Sequence, residues 1–152
     1  MTTNYVETAL RKNGFKVTPK RKAIAQLLLS SNKALTPTQV WRKLRPTMGK
    51  LGLPSVYRIL EELTVAGLLT RIDLFDRILR YAASCAKPGQ HHHLVCVKCG
   101  RVDIIDCCFQ KKEASRIEQQ TGFKITSHSM QVQGLCPNCL AKAERQKCSE
   151  QS

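Results

Sequence analysis

Apolar positions along the first third of the chain fall at helical spacing. Val6, Ala9 and Leu10 share one face of a short helix over residues 4–13, which Asn13-Gly14 ends. Thr18-Pro19 reads as an N-cap followed by proline at the first helical position, with Ile24, Leu27 and Leu28 as the apolar face. Thr36-Pro37-Thr38-Gln39 repeats the device with a capping-box glutamine. Val40 and Leu44 face inward from that third helix, Trp41 adds to the core, and Arg45-Pro46 stops it. A fourth helix starts near Pro54 or Ser55. Val56, Ile59, Leu60 and Leu63 form a strong i, i+3, i+4, i+7 stripe on it.

After Ala66-Gly67 the period changes. Leu68–Leu74 and Ile78–Ala83 read as two strands around Phe75-Asp76-Arg77. Helices followed by a hairpin are the winged-helix order, with Arg71, Arg77 and Arg80 of the wing available to phosphates. Ser84 to Gln90 contains Lys87-Pro88-Gly89 without periodicity and reads as part of a hinge over residues 84–92. Beyond it, His93–Ile105 predicts a strand pair or one long strand. Residues 107–120 predict a helix with a thin apolar face of Phe109, Ala114 and Ile117. Phe123–Ile125 and Met130–Val132 predict strands, and Cys136-Pro137-Asn138-Cys139 opens a short last helix with a frayed tail from Glu144. The fold class is therefore α+β, in two parts: residues 1–83 and residues 93–152.

Charge sharpens this division. The net charge is +14. Residues 1–83 hold 15 basic and 5 acidic side chains, residues 84–152 hold 10 and 6. Such a balance points to a polyanion, nucleic acid first, touched by the N-terminal part; the bland alternative is a solvated basic surface. Lys20, Arg21 and Lys22 crowd the first turn of the second helix, where cations oppose the dipole, so an external anion is one expected compensation. Ser55, Tyr57 and Arg58 lie on the outer face of the fourth helix, the end that meets base edges in a recognition helix. For Tyr57 the competing reading is a half-buried packing residue.

Eight cysteines would suit a disulfide scaffold, but no signal-peptide pattern opens the chain and no 18-residue apolar run exists. A cytoplasmic protein away from membranes is expected, and there paired cysteines favour metal. Cys96 and Cys99 form one C-x-x-C pair, Cys136 and Cys139 another. Four thiolates in two such pairs match a closed tetrahedral zinc site. The 36 residues between them exceed a compact zinc ribbon, so the ion would tie the start of the second part to its end. Cys85, His91 and His93 offer a second ligand set, the two histidines sharing a face if the segment is extended. One ion would build the fold and the other could be sensed. Cys107, Cys108 and Cys148 stay unassigned.

Read together, four ordered motifs resemble the ferric uptake regulator family of metal-sensing repressors. They are Val17-Thr18-Pro19-x-Arg21; Ser55-Val56-Tyr57-Arg58-x-Leu60 with Gly67-Leu68; His91-His92-His93-Leu94-Val95-Cys96-x-x-Cys99-Gly100; and Gly134-Leu135-Cys136-x-x-Cys139. The resemblance implies a homodimer of subunits with an N-terminal winged-helix DNA-binding domain and a C-terminal α/β dimerisation domain. It implies binding to palindromic double-stranded operators, with Lys16, Arg21, Ser55, Tyr57 and Arg58 as candidate DNA contacts. Cys85 six residues before His91 looks like the zinc uptake regulator branch. The regulatory ligands would then be Asp73, Cys85, His91 and His93, with Asp76 as alternative to Asp73, and two zinc ions per subunit in all. A thiolate favours zinc over iron or manganese. Iron-, manganese- or peroxide-responsive repression is the alternative within the family. A third family site would fall on Gln90, His92, Lys111 and His128; only His92 and His128 could bind, so it is expected absent or degenerate unless Glu113 substitutes. A zinc hydrolase is a remote reading, since there is no H-E-x-x-H. A thiol oxidoreductase lacks a βαβ context around either cysteine pair.

Overall fold

The computed structural model describes residues 3–84, 92–105, 111–126 and 130–149, without the side chains of 3, 111 and 144–149. Among the described residues, helices α1 (Thr3–Lys12), α2 (Pro19–Leu29), α3 (Pro37–Leu44) and α4 (Leu53–Val65) precede the hairpin β1 (Leu69–Ile72) and β2 (Arg80–Ala83). Then come β3 (His92–Cys96), β4 (Val102–Ile105), α5 (Lys111–Thr121), β5 (Gln131–Gly134) and α6 (Pro137–Ser149).

Local chemistry explains the helix starts. Thr18 Oγ1 accepts from the Arg21 amide, and Thr36 with Gln39 closes a reciprocal capping box. Gly14 and Gly67 take φ of 75° and 72° where α1 and α4 end, a conformation that costs other residues about 1 kcal/mol or more. The apolar stripes converge on one core: Val6 and Leu10 from α1, Ile24 and Leu28 from α2, Val40 from α3, and Val56, Ile59, Leu60 and Leu63 from α4. Trp41 is half-buried against it and its indole N–H donates to the Leu51 carbonyl at 2.8 Å.

The wing is shorter in strand and longer in loop than the pattern predicts. Its strands end at Ile72 and restart at Arg80. Between them the Asp73 carboxylate accepts from the Phe75 amide (2.7 Å) and the Asp76 carboxylate from the Ile78 amide (3.0 Å). These side-chain turns hold Phe75 and Arg77 at φ 59° and 60° and displace ladder bonds. Leu35 exchanges two 2.9 Å main-chain bonds with Tyr81 and so adds a short third edge to the wing sheet.

In the second part β3 is central, antiparallel to β4 and parallel to β5. Three expectations change here. His92 already pairs with Ile105, so β3 starts one residue earlier than predicted; residues 85–91 lie outside those described. Phe123–Ile125 is not a strand. The Phe123 amide is held by Thr121 Oγ1 and the Ile125 amide by the Glu118 carboxylate, so this segment folds back on the end of α5. Finally, α6 runs to Ser149 instead of fraying from Glu144. Phe109, Cys107 and Cys108 lie outside the described residues, as does the side chain of Cys148.

The two parts meet along a seam. Ala34 N–H donates to Gly100 O at 2.8 Å, and Val102 N–H to Asn32 O at 2.9 Å. Beside these bonds Ala34, Ile72, Ala82 and Val95 form a small apolar cluster.

Candidate metal centre and nucleic-acid face

The parallel pairing of β3 with β5 brings the two cysteine pairs together. Cys96 is the last residue of β3 and is in register with Gly134, the last of β5. Each strand then turns. The first turn carries Cys99 and closes with Gly100 at φ 70°; the second carries Cys136 into α6, whose first turn holds Cys139. All four sulfurs lie within 4.8 Å of one another, with Cys99 Sγ 3.7 Å from Cys136 Sγ. Zinc–sulfur bonds of about 2.3 Å in a tetrahedron require sulfur–sulfur edges of about 3.8 Å. The cluster therefore fits a zinc ion with little adjustment, and the 3.7 Å separation is far beyond a disulfide bond.

Electrostatics within the cluster are uneven. Burial pushes the Cys96 thiol up, but the amides of Cys136, Cys99 and Lys98 outweigh it and bring it down to about 6. Cys139 is pushed up to about 12 by its hydrogen bond with Cys136, by burial and by the other sulfurs. Cys96 and Cys139 are thus pushed in opposite directions, and capture of a metal by thiolates would release protons.

Of the second ligand set, Asp73 and His93 are described; Cys85 and His91 lie outside the described residues. His93 Nε2 is 3.4 Å from the Ala83 carbonyl at the end of β2. Burial lowers its pKa, which favours the neutral imidazole that ligates metals. The main chain of Asp73 is gripped by the amide side chains of Gln131 and Gln133. Asp76 is committed elsewhere: both its oxygens take Arg80 guanidinium N–H groups at 2.7 Å, and this pair with the Ile78 amide brings its pKa down to about 2. For the third family site, His92 is buried at the start of β3 and Glu113 is exposed on α5, whereas Gln90 and His128 lie outside the described residues, as does the side chain of Lys111.

On the candidate DNA face, Lys16 is exposed, Ser55 is half-buried, Tyr57 is 42% exposed and the Arg58 side chain 72% exposed. The α4 N-cap, Gly52, offers no side-chain acceptor and the first turn has no acid, so its amides suit an anion. Arg21 departs from expectation. Its side chain is only 14% exposed, bound to Glu62 at 2.7 Å and to the Lys16 carbonyl at 3.0 Å. It joins α2 to α4 instead of presenting its charge. Lys22 pairs with Glu7 at 2.8 Å, so the crowded first turn of α2 is compensated from within. Arg80 is likewise held by Asp76, and Arg71 by Glu61.

Sequence reasoning passed over Glu61, which takes both Arg71 and the hydroxyl of buried Tyr81. It also passed over Gln131 and Gln133. Their alternation on one strand was the available signal.

Comparison with known proteins matches residues 12–133 to the ferric uptake regulator family model. The chain belongs to that family. It is 33% identical over 141 residues to the ferric uptake regulation protein of Bacillus subtilis, covering 90% of this chain and 93% of that one. It is 30% identical over 137 residues to the peroxide-responsive repressor PerR of Staphylococcus saprophyticus, covering 89% of each. The Vibrio cholerae ferric uptake regulator structure superposes with a TM-score of 0.64 at 27% identity, covering 86% of this chain and 98% of that one. The protein is thus a metal-responsive transcriptional regulator of mixed helices and strands. No described helix is long and apolar enough to cross a membrane.

Proposed function

We propose that this family member is a zinc-responsive repressor, binding palindromic operator DNA as a homodimer when its regulatory site is filled. Cys96, Cys99, Cys136 and Cys139 would hold a structural zinc, which supplies a fourfold crosslink between the ends of β3 and β5 when bound. Asp73, Cys85, His91 and His93 would hold the regulatory one. The observation that carries the reading is that the second part meets the wing at two points across the seam: Gln131 of β5 binds the main chain of Asp73, and His93 of β3 lies against the Ala83 carbonyl. Ligands on both sides of the seam would favour one angle between the two parts, and hence one spacing of paired α4 helices on successive half-sites. Asp73 is preferred over Asp76 because Arg80 already takes both oxygens of Asp76. Lys16, Tyr57 and Arg58, with half-buried Ser55, would supply the DNA-facing side chains.

The preference for zinc rests on Cys85, a soft ligand. Iron, manganese or peroxide response is the second reading; the relatives named above carry iron and peroxide in their names. Operator binding measured across zinc, iron(II) and manganese(II) at controlled free-metal levels separates them. Zinc should be effective at the lowest free concentration, and Cys85→Ala should abolish that response while leaving a folded dimer. A Cys85→Ala protein that still answers normally to zinc would defeat the proposal.

A further inference from the structure

Glu61 and Glu62 are neighbours on α4, and each stands near an exposed arginine. Glu61 captures its arginine, Arg71 of the wing. Asp76 does the same to Arg80, taking two guanidinium N–H groups at 2.7 Å. Glu62 behaves differently. Arg58 stands one turn before it on α4, the spacing at which an arginine and an acid pair on a helix. Yet Arg58 Nε remains 3.9 Å from Glu62 Oε1, beyond hydrogen-bond reach, and the Arg58 side chain is 72% exposed. The difference lies in Arg21 of α2. Its Nε donates to Glu62 Oε2 at 2.7 Å, and the side chains of this pair are 14% and 15% exposed. A pair so far withdrawn from water is screened little by salt. Arg21 is itself anchored, since its Nη1 donates to the Lys16 carbonyl at 3.0 Å. The acid nearest Arg58 is therefore neutralised from the other side.

We propose that Arg21 is a positioning residue for DNA binding that does not itself touch DNA: by taking the Glu62 carboxylate it leaves the Arg58 guanidinium free for the duplex. The inference rests on the reading of Arg58 as a DNA contact given under the proposed function. Without Arg21, Glu62 becomes a lone anion one turn from Arg58. The carboxylate then draws Arg58 back onto the helix, as Glu61 draws Arg71, and it repels the phosphates that Arg58 would approach. Arginine suits the task better than lysine. Its five N–H donors in a fixed fork serve the carboxylate and the Lys16 carbonyl together, so the cation cannot drift away from the acid.

The test uses full-length, zinc-loaded protein and the duplex that wild type selects from a random-sequence DNA pool. Arg58→Gln should weaken binding to that duplex about tenfold, within the range for losing one arginine contact. Arg21→Gln should weaken it by a similar factor. Arg21→Gln combined with Glu62→Gln, which restores the net charge of wild type, should recover most of that loss. Adding Arg21→Gln to Arg58→Gln should cost little more, because no guanidinium is left to capture. A general loss of positive charge, or a loosened fold, would instead add its full factor in that background. NMR of the Arg58 side chain without DNA gives a second readout. Its Nε–H should become ordered in Arg21→Gln and regain wild-type mobility in the double variant. If Arg21→Gln does not fold, Glu62→Gln decides: the factor lost through Arg58→Gln should be the same with Glu62 as with Gln at that position, since the acid is silent in wild type. A larger factor once Glu62 is replaced would overturn the inference alone. So would full additivity of Arg21→Gln and Arg58→Gln with an unaltered Arg58 Nε–H signal. Arg58→Gln binding as tightly as wild type, or wild type selecting no duplex, would overturn the DNA-contact reading and the inference with it.

Discussion

Glu61 holds the wing to α4, and its removal has a calculable cost. Its carboxylate accepts the hydroxyl of Tyr81 on β2 and the guanidinium of Arg71 on β1. Tyr81 is 0% exposed, so Glu61→Ala leaves a buried hydroxyl without its acceptor, which costs about 1–3 kcal/mol. The Arg71 pair is more than half exposed at its cation and adds little. At about 2–4 °C per kcal/mol for a chain of this size, the melting temperature should fall by roughly 2–12 °C. Tyr81→Phe should cost only about 0.5–1.5 kcal/mol, because Glu61 keeps Arg71 and partial hydration. In the Glu61→Ala background, Tyr81→Phe should cost nothing or restore stability, since it removes the stranded hydroxyl. The pH dependence has two edges. The Arg71 and Tyr81 hydrogen bonds outweigh burial and depress the Glu61 pKa below its ordinary 4.5, so its contribution is complete above 4.5 and lost as pH falls through the lower folded value. Burial, then Glu61, raises Tyr81 above its ordinary 10.0, so that contribution is complete below 10.0 and lost as pH rises further. Urea melts of the four variants, zinc-loaded, between those limits are the assay. Equal midpoints for wild type and Glu61→Ala, or the same loss from Tyr81→Phe in both backgrounds, would refute the account.

Three further outcomes are expected. Gly100→Ala places a Cβ at φ 70°, 3.4 Å from the Ala34 carbonyl, and should destabilise the seam by about 1–2 kcal/mol, seen as a lower urea midpoint and faster proteolysis near residues 31–35. Asp76→Asn should loosen the wing loop yet leave cobalt affinity at the second site unchanged. In wild type, NMR titration of the Asp76 carboxyl should show ionisation persisting to about pH 2, with any stabilisation lost as pH falls through that value. Cys139→Ala should release the structural zinc and melt the β3–β5 end of the sheet, measured by metal analysis and circular dichroism; a variant that retains one tightly held zinc and the native spectrum would count against that assignment.

Local features were legible in the sequence where the chemistry is local. Thr18 with Pro19, Thr36 with Gln39, and the Val56–Leu63 stripe each specify a helix through neighbours within a turn or two. The four cysteines were legible as a group because metal-ligand spacing is short-range within each pair, although what joins the pairs is a parallel strand contact. What escaped depends on partners far along the chain. Arg21 reads as a free cation until Glu62, 41 residues on, is placed beside it. Phe123–Ile125 has strand composition but its amides are taken by the end of α5. Gln131 and Gln133 read as the polar half of an exposed strand, and only the register with His93 and Val95 turns them toward the wing 58 and 60 residues away.

The composition of the seam bears on how a single ion could control it. Its apolar part joins Ala34, Ile72, Ala82 and Val95, two of them alanines, with Leu74 and Val102 at the margin. Among the described residues it also carries hydrogen bonds: Ala34 and Val102 to the opposite main chain, and the amides of Gln131 and Gln133 to Asp73. Each such bond contributes about 1 kcal/mol net, since water offers nearly as much when it breaks. A seam fused by a large apolar core would stay shut with or without a ligand. One held by small side chains and exchangeable hydrogen bonds has a stability of the same order as the few kcal/mol that an ion contributes by preferring one arrangement of its ligands.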